Sequence, residues 1–156
     1  MPLQPAPVRN RLVDLRLGNL SAAWGRWFQA VQQAINSQAE GLGSVALSAQ
    51  SASIGTTAVP MPALTAGVYR VSVAVRVTTA AGVSSSIQTT IGWTSGTVAQ
   101  SQSGAVNAGN TTTTQESYER VIRGDANTTI TYSTTYASNP AAAMQYQLDI
   151  KVARLP

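Results

Sequence analysis

Acidic side chains are the groups in this sequence best able to do chemistry. The chain contains no histidine and no cysteine, so imidazole bases, thiolate nucleophiles and thiolate–zinc sites are excluded. A facing pair of carboxylates could still serve as general acid and base in glycoside hydrolysis. Six acidic residues are available for such a pair: Asp14, Glu40, Glu116, Glu119, Asp125 and Asp149.

Glu116 and Glu119 lie three residues apart in a stretch that we predict to be a strand. In a strand this spacing places the two side chains on opposite faces of the sheet, which is wrong for a facing pair. The sequence also lacks a glycine-rich phosphate loop with its lysine, and the clustered Asp and Asn residues of calcium loops. We therefore expect no enzyme activity, no cofactor and no metal site.

The segment Arg123-Gly124-Asp125 spells an adhesion tripeptide. The residues Gly-Asp-Ala-Asn between two strands are also ordinary turn chemistry, because these residue types favour tight turns. We interpret the tripeptide as part of a turn rather than as a receptor ligand.

Aromatic residues offer a second kind of site, because an aromatic face can stack on a sugar. The candidates are Trp93, Tyr118, Tyr132, Tyr136 and Tyr146. Most of them fall at alternating strand positions, which favours burial in a core or a subunit contact over a surface glycan platform.

Charged residues make up only 10% of the chain, against about 25% in typical soluble domains. The net charge of +4 reflects a scarcity of acids, 6 against 10 bases. The bases form no cluster with interleaved aromatic residues, which argues against nucleic-acid binding. No run approaches the roughly 18 apolar residues of a membrane span, so we expect no membrane insertion.

Residues 20–43 are predicted to form one helix. Apolar positions alternate at spacings of four and three residues, which is typical of a helix–helix seam. The seam and its flank comprise Trp24, Trp27, Phe28, Val31, Ile35, Gln38 and Leu42. A helix of this length needs a partner to be stable. Three partners stay open: its own domain, sister helices around an axis with Gln38 as a polar layer, or a different protein.

Residues 1–19 are predicted to form an extended arm, because several prolines there favour extended backbone. The arm carries Arg9, Arg11 and Arg16, which could contact an acidic protein surface. We expect this arm to anchor the protein to a larger assembly.

Residues 44–156 are predicted to be β-structure throughout. Every second residue is apolar from Tyr69 to Val77 and from Met144 to Val152, the pattern of half-buried strands. Together with weaker strands separated by turn residues, they make about eight short strands, which predict an antiparallel, jelly-roll-like β-sandwich head. The strands carry few of the charges that guard sheet edges in isolated sandwiches, which indicates that sister subunits cover them.

Two groups of motifs resemble small virion structural proteins of tailed bacteriophages. The first is the helix segment 24–31, Trp-Gly-Arg-Trp-Phe-Gln-Ala-Val. The second comprises the strand segments 67–73, 91–93, 102–105, 130–132 and 144–149. The resemblance covers most of residues 20–156. It implies a particle component, a trimer with a short helical stalk and a β-rich head, and it supplies no catalytic residues.

The expected function is therefore that of a non-enzymatic structural component of a bacteriophage particle. It would be made in the host cytoplasm and located in the virion, as a trimeric short fibre or decoration protein beside other virion structural proteins. The alternative is a receptor-binding module of a tail fibre that recognises a host surface glycan through the loops 95–112 and 137–143. In both cases the partners are proteins or glycans, not nucleic acid or membrane.

Overall fold

The computed structural model describes residues 13–14, 19–20, 22–39, 41–139 and 143–155, with helix side chains over 23–31. The chain divides into two compact units, Met1–Glu40 and Gly41–Pro156. The elements of the first unit are two short antiparallel strands, β1 (Val13–Asp14) and β2 (Asn19–Leu20), and one helix, α1 (Ala22–Ala39).

The second unit is an antiparallel sandwich of two sheets. The four-stranded sheet has the spatial order β3 (Gly41–Gln50), β11 (Gln145–Arg154), β5 (Gly67–Thr79) and β9 (Gln115–Gly124). The five-stranded sheet has the order β4 (Thr57–Ala58), β10 (Thr131–Ala137), β6 (Ser86–Ser95) and β7 (Val98–Ser103), and β8 (Asn107–Ala108) also pairs with β6.

The strand order is that of a jelly roll. With β8 set aside, the eight strands from β3 onward appear in chain order as 1-8-3-6 in one sheet and 2-7-4-5 in the other. All pairings are antiparallel. The predicted fold class, a mainly β protein with a jelly-roll-like antiparallel sandwich, is confirmed.

The hydrophobic core lies between the two sheets. Along β5 the residues from Tyr69 to Val77 alternate between buried apolar and outward polar positions, as the period of two predicts. Leu148 and Ile150 on β11 meet the same core, which Ile87 and Ile91 on β6 complete from the opposite sheet. The four-stranded sheet thus turns a mainly apolar face inward and a mainly polar face outward.

A chain of hydrogen bonds joins the two sheets at one place inside the core. The Tyr146 hydroxyl on β11 donates to the Ala52 carbonyl at 2.9 Å and lies 2.8 Å from the Thr134 hydroxyl on β10. The Thr134 oxygen accepts the Ile54 amide at 2.9 Å. Side chains from both sheets therefore help to hold residues 52–54 in place.

The predicted C-terminal end of the helix is wrong. The helix ends at Ala39, and Leu42, predicted as the last seam residue, lies in β3 with its side chain partly buried against the sandwich core. At Gly43 an added Cβ would lie 2.6 Å from the Met61 Cβ and 2.8 Å from the Pro60 carbonyl oxygen. Pairing with β11 and this close packing therefore outweigh another helical turn.

Candidate functional site

The aromatic residues considered for a sugar platform serve the core. Tyr132 and Tyr146 are buried, and Trp93, Tyr118 and Tyr136 are partly buried against the same cluster. The preference for core packing over a surface glycan platform is therefore confirmed for the two buried tyrosines. The other three cannot form one flat exposed surface, because each turns an apolar face into the sandwich.

Glu116 and Glu119 lie on opposite faces of β9, as their spacing predicts. Glu116 faces inward and accepts the Ala105 amide at 2.7 Å and the Asn107 side-chain amide at 2.8 Å. This carboxylate holds the loop between β7 and β8. Glu119 faces outward, where it accepts the Ser72 hydroxyl at 2.9 Å. The two acids therefore do not form a catalytic pair.

The tripeptide 123–125 ends in a structural carboxylate. Asp125 accepts the backbone amides of Gly96 at 3.2 Å and Thr97 at 2.9 Å, in the turn between β6 and β7. The carboxylate is therefore engaged in joining two neighbouring turns. The interpretation of the tripeptide as turn chemistry agrees with these contacts.

The helix carries a compact aromatic cluster. Ring centroids lie 5.5 Å apart for Trp24 and Trp27, and 5.1 Å apart for Trp27 and Phe28. Trp24, Trp27 and Val31 are partly buried, whereas Phe28 is 44% exposed. The first turns of the predicted seam therefore share one face, and one large apolar side chain on it meets solvent.

Some predicted site residues lie outside the described part of the structure. They are Arg9, Arg11 and Arg16 of the arm and the side chains of Ile35 and Gln38. Their roles in anchoring and oligomerisation stay predictions.

A shallow groove of about 500 Å³ crosses the outer face of the four-stranded sheet. The residues that line it are Ser72, Val73, Ala74, Ser117, Tyr118, Glu119, Asp149 and Lys151. The side chains of Val73 and Tyr118 belong to the opposite face of the sheet, so these two residues contribute backbone. The volume lies in the usual range of small-molecule sites, roughly 300–1,000 Å³.

Strand register produces the groove by placing small side chains in the middle of the sheet. Ser72 on β5 lies between Lys151 on β11 and Glu119 on β9. The next row along the strands places Ala74 between Asp149 and Ser117. The small side chains in these two rows form the floor of the groove. Longer side chains in the neighbouring rows form its walls.

Those neighbouring rows hold two arginines, one at each end of the groove. Arg76 donates to the Gln147 side-chain oxygen at 2.8 Å, and the Gln147 amide donates to Asp149 at 2.9 Å. At the other end the Arg70 guanidinium lies 4.0 Å from the Glu119 carboxylate. Neighbouring side chains thus orient both carboxylates of the groove.

The outer face around the groove holds most of the charge of the sandwich. It has four basic residues, Arg70, Arg76, Arg123 and Lys151, and two acidic ones, Glu119 and Asp149. The strands of the five-stranded sheet contain no charged residue. The two outer faces therefore differ in chemistry, and only the groove face offers both ionic and neutral hydrogen-bonding groups.

Sequence reasoning missed this groove. Its side chains come from three strands that are far apart in the chain, and only the strand register brings them together. The available signal was the outward set of the alternating strands, where Ser72 and Ala74 interrupt a series of longer residues.

Two further classes of site are absent from the described residues. No group of three or more His, Cys, Asp or Glu side chains is placed to hold a metal ion there. Among the described helices, none has the length and apolar character needed to cross a membrane.

Comparison with known proteins gives distant structural likenesses. The chain matches no family model, and it matches no curated protein sequence. Among solved structures it is similar to the carbohydrate-binding module TmCBM61, solved in complex with β-1,4-galactotriose. The identity is 15%, the match covers 72% of this chain and 70% of that chain, and the TM-score is 0.46. A likeness at this distance assigns no ligand to this chain.

Proposed function

We propose that the sandwich is a non-enzymatic glycan-binding module and that its ligand lies in the groove of the four-stranded sheet. The observation that carries this proposal is the arrangement of Ser72, Ser117, Glu119, Asp149 and Lys151 around one small-residue floor. Glycan recognition is the alternative function expected from the sequence. The proposed site is the sheet face instead of the loops 95–112 and 137–143.

A neutral polyhydroxylated ligand fits these groups best. Sugar hydroxyls both donate and accept, and the groove offers donors at Lys151 and the two serines beside acceptors at Glu119 and Asp149. An anionic ligand would meet both carboxylates. A cationic ligand would meet Lys151 and the arginines that bound the groove.

The exposure of Glu119 also supports binding rather than catalysis. Glycoside hydrolysis needs one carboxyl group kept protonated, commonly by burial in an apolar pocket. The Glu119 side chain is 60% exposed and accepts a hydroxyl hydrogen bond from Ser72. Such a group is suited to orienting a sugar hydroxyl rather than to protonating a leaving group.

Affinity for a single sugar chain is expected to be weak. The groove is open, and none of its side chains stacks an aromatic ring on the ligand, so hydrogen bonds exposed to water carry the binding. Several copies of the module on one particle would raise the effective affinity without any new contact.

The test is a glycan screen of the full chain, followed by titration calorimetry with the best neutral oligosaccharide. Ser117→Leu fills the groove floor, and Ser133→Leu makes the same change on the outer face of the uncharged sheet. We expect at least a tenfold loss of affinity for S117L and none for S133L. A screen without binding above background, or equal affinities for the two variants, would contradict the proposal.

A second candidate function is that of a trimeric structural component of a phage particle, assembled through the helix. The specific observation in its favour is the aromatic cluster of Trp24, Trp27 and Phe28, with Phe28 open to solvent. Sister helices packed around an axis would bury this face.

Light scattering of the full chain over a concentration series tests this candidate. Phe28→Glu places a charge on the aromatic face, and Gln29→Glu places the same charge on the exposed side of the same helix. The expected result is a mass of three chains, or of a multiple of three, for the unchanged chain and for Q29E, and a lower mass for F28E. A monomeric unchanged chain, or equal masses for both variants, would remove the candidate.

A further inference from the structure

The strand β7 is an edge strand without the usual protection. It forms one end of the five-stranded sheet, and all six of its residues are exposed, including those on the face turned toward the other sheet. Natural proteins guard such edges with charges, prolines or bulges. β7 has none of these, and its pairing with β6 runs without a register shift. No charged residue occurs between Val77 and Thr114.

The turn before β7 determines which backbone groups are free. Gly96 and Thr97 have φ values of +60° and +66°, which define a two-residue hairpin turn closed by the pair Ser95 and Val98. The closing pair is hydrogen bonded, so every second residue from Val98 onward points its backbone N–H and C=O at β6. The backbone groups of Ala99, Ser101 and Ser103 therefore point away from the sheet.

We infer that this edge pairs with β7 of a second copy of the chain, as antiparallel strands related by a two-fold axis. The axis stands perpendicular to the sheet, so residues on the same face oppose each other. Ser101 then lies opposite Ser101 of the partner subunit, with Ala99 opposite the partner's Ser103. This register forms about six backbone hydrogen bonds.

The charge distribution favours a second copy of the chain as the partner of the β7 edge. The chain carries a net charge of +4, and the groove face alone holds four bases against two acids. Two copies joined edge to edge at β7 bring only uncharged strands together. The uncharged sheet is therefore the part of the sandwich on which two copies can approach with the least repulsion.

Cysteine substitution tests the register directly, because the chain contains no cysteine of its own. Opposed residues of a hydrogen-bonded antiparallel pair have Cα atoms about 5.5 Å apart, within the range that a disulfide spans. We expect mild oxidation of full-length Ser101→Cys to give at least tenfold more covalent dimer than Ser133→Cys. Equal yields from the two variants would overturn the inference.

A charge at the same position gives an independent readout. Ser101→Lys places two ammonium groups opposite each other, whereas Ser133→Lys adds the same charge away from the edge. Sedimentation should show weaker self-association for S101K than for S133K, with glycan affinity unchanged in both. Unaltered self-association in S101K would show that β7 is free or binds another protein, whatever the outcome for the groove.

Discussion

Removal of the Tyr146 hydroxyl tests how the two sheets are joined. This hydroxyl is buried between the sheets, donates to the Ala52 carbonyl and lies next to the Thr134 hydroxyl. Because its single proton goes to Ala52, Thr134 must donate its own proton to the Tyr146 oxygen. Tyr146→Phe therefore leaves one buried donor and one acceptor without partners.

The magnitude follows from which of these two groups water can reach. A buried polar group without a partner costs about 1–3 kcal/mol. Thr134 is 4% exposed, so its hydroxyl bears this cost, whereas Ala52 lies in an exposed segment and its carbonyl can turn to water. We expect a loss of about 2 kcal/mol in the free energy of unfolding. That loss corresponds to a fall in Tm of roughly 6–8 °C for a domain of this size.

Urea unfolding of the full chain measures this loss, with Tyr132→Phe as the matched control. Tyr132 is also buried, on strand β10 of the opposite sheet, and its hydroxyl takes no part in the chain of bonds between the sheets. We expect that control to lie within about 0.5 kcal/mol of the unchanged protein. Equal losses for the two variants, or no loss for Tyr146→Phe, would refute the reasoning.

Three further changes probe other contacts. Burial raises the pKa of Tyr118 to about 12 from 10.0, so the folded chain keeps a proton that the unfolded chain loses above pH 10. Stability should fall as pH rises from 10 to 12 in urea unfolding, and Tyr118→Phe should lessen that fall. Asp125→Ala removes the acceptor of the 96–97 turn amides and should cost about 1 kcal/mol, with faster amide exchange there. Gly109→Ala should cost about 1–3 kcal/mol in thermal unfolding, because its Cβ would overlap the buried Met144 side chain.

The strands of the sandwich could be predicted because the alternation that marks each strand lies within one short stretch of sequence. Alternation from Tyr69 to Val77 marks β5, and the same pattern from Met144 to Val152 marks β11, so both strands and their buried faces follow from the sequence. The jelly-roll class follows from the number of short strands and from the turn residues between them. The order of the strands within each sheet depends on pairing between distant parts of the chain, so only the structure shows it.

The end of the helix shows where a local pattern misleads. Leu42 continues the seam spacing, yet it lies in β3 because a strand partner is available there and the glycines on either side disfavour a helix. The seam pattern depends only on the spacing of apolar residues along the chain. It gives no information about strand pairing with a distant part of the sequence, which competes with the helix.

The groove shows a second limit of sequence reasoning. Asp149 and Lys151 look like ordinary outward residues of an alternating strand, and so do Ser72 and Ser117 on theirs. Only the registers of β11 with β5 and of β5 with β9 place them in two adjacent rows. Catalytic motifs can be recognised from residue types and their spacing in the sequence. A surface formed by side chains from several paired strands can hardly be recognised in this way.

The central proposal is that a glycan binds in the groove of the four-stranded sheet. The most direct measurement is a titration of the isotopically labelled full chain with a neutral oligosaccharide, followed by amide chemical shifts. We expect the largest shifts at Ser72, Ser117 and Asp149, and none on the outer face of the uncharged sheet. Shifts centred on that sheet or on the loops 95–112, or no shifts with any sugar tested, would contradict it.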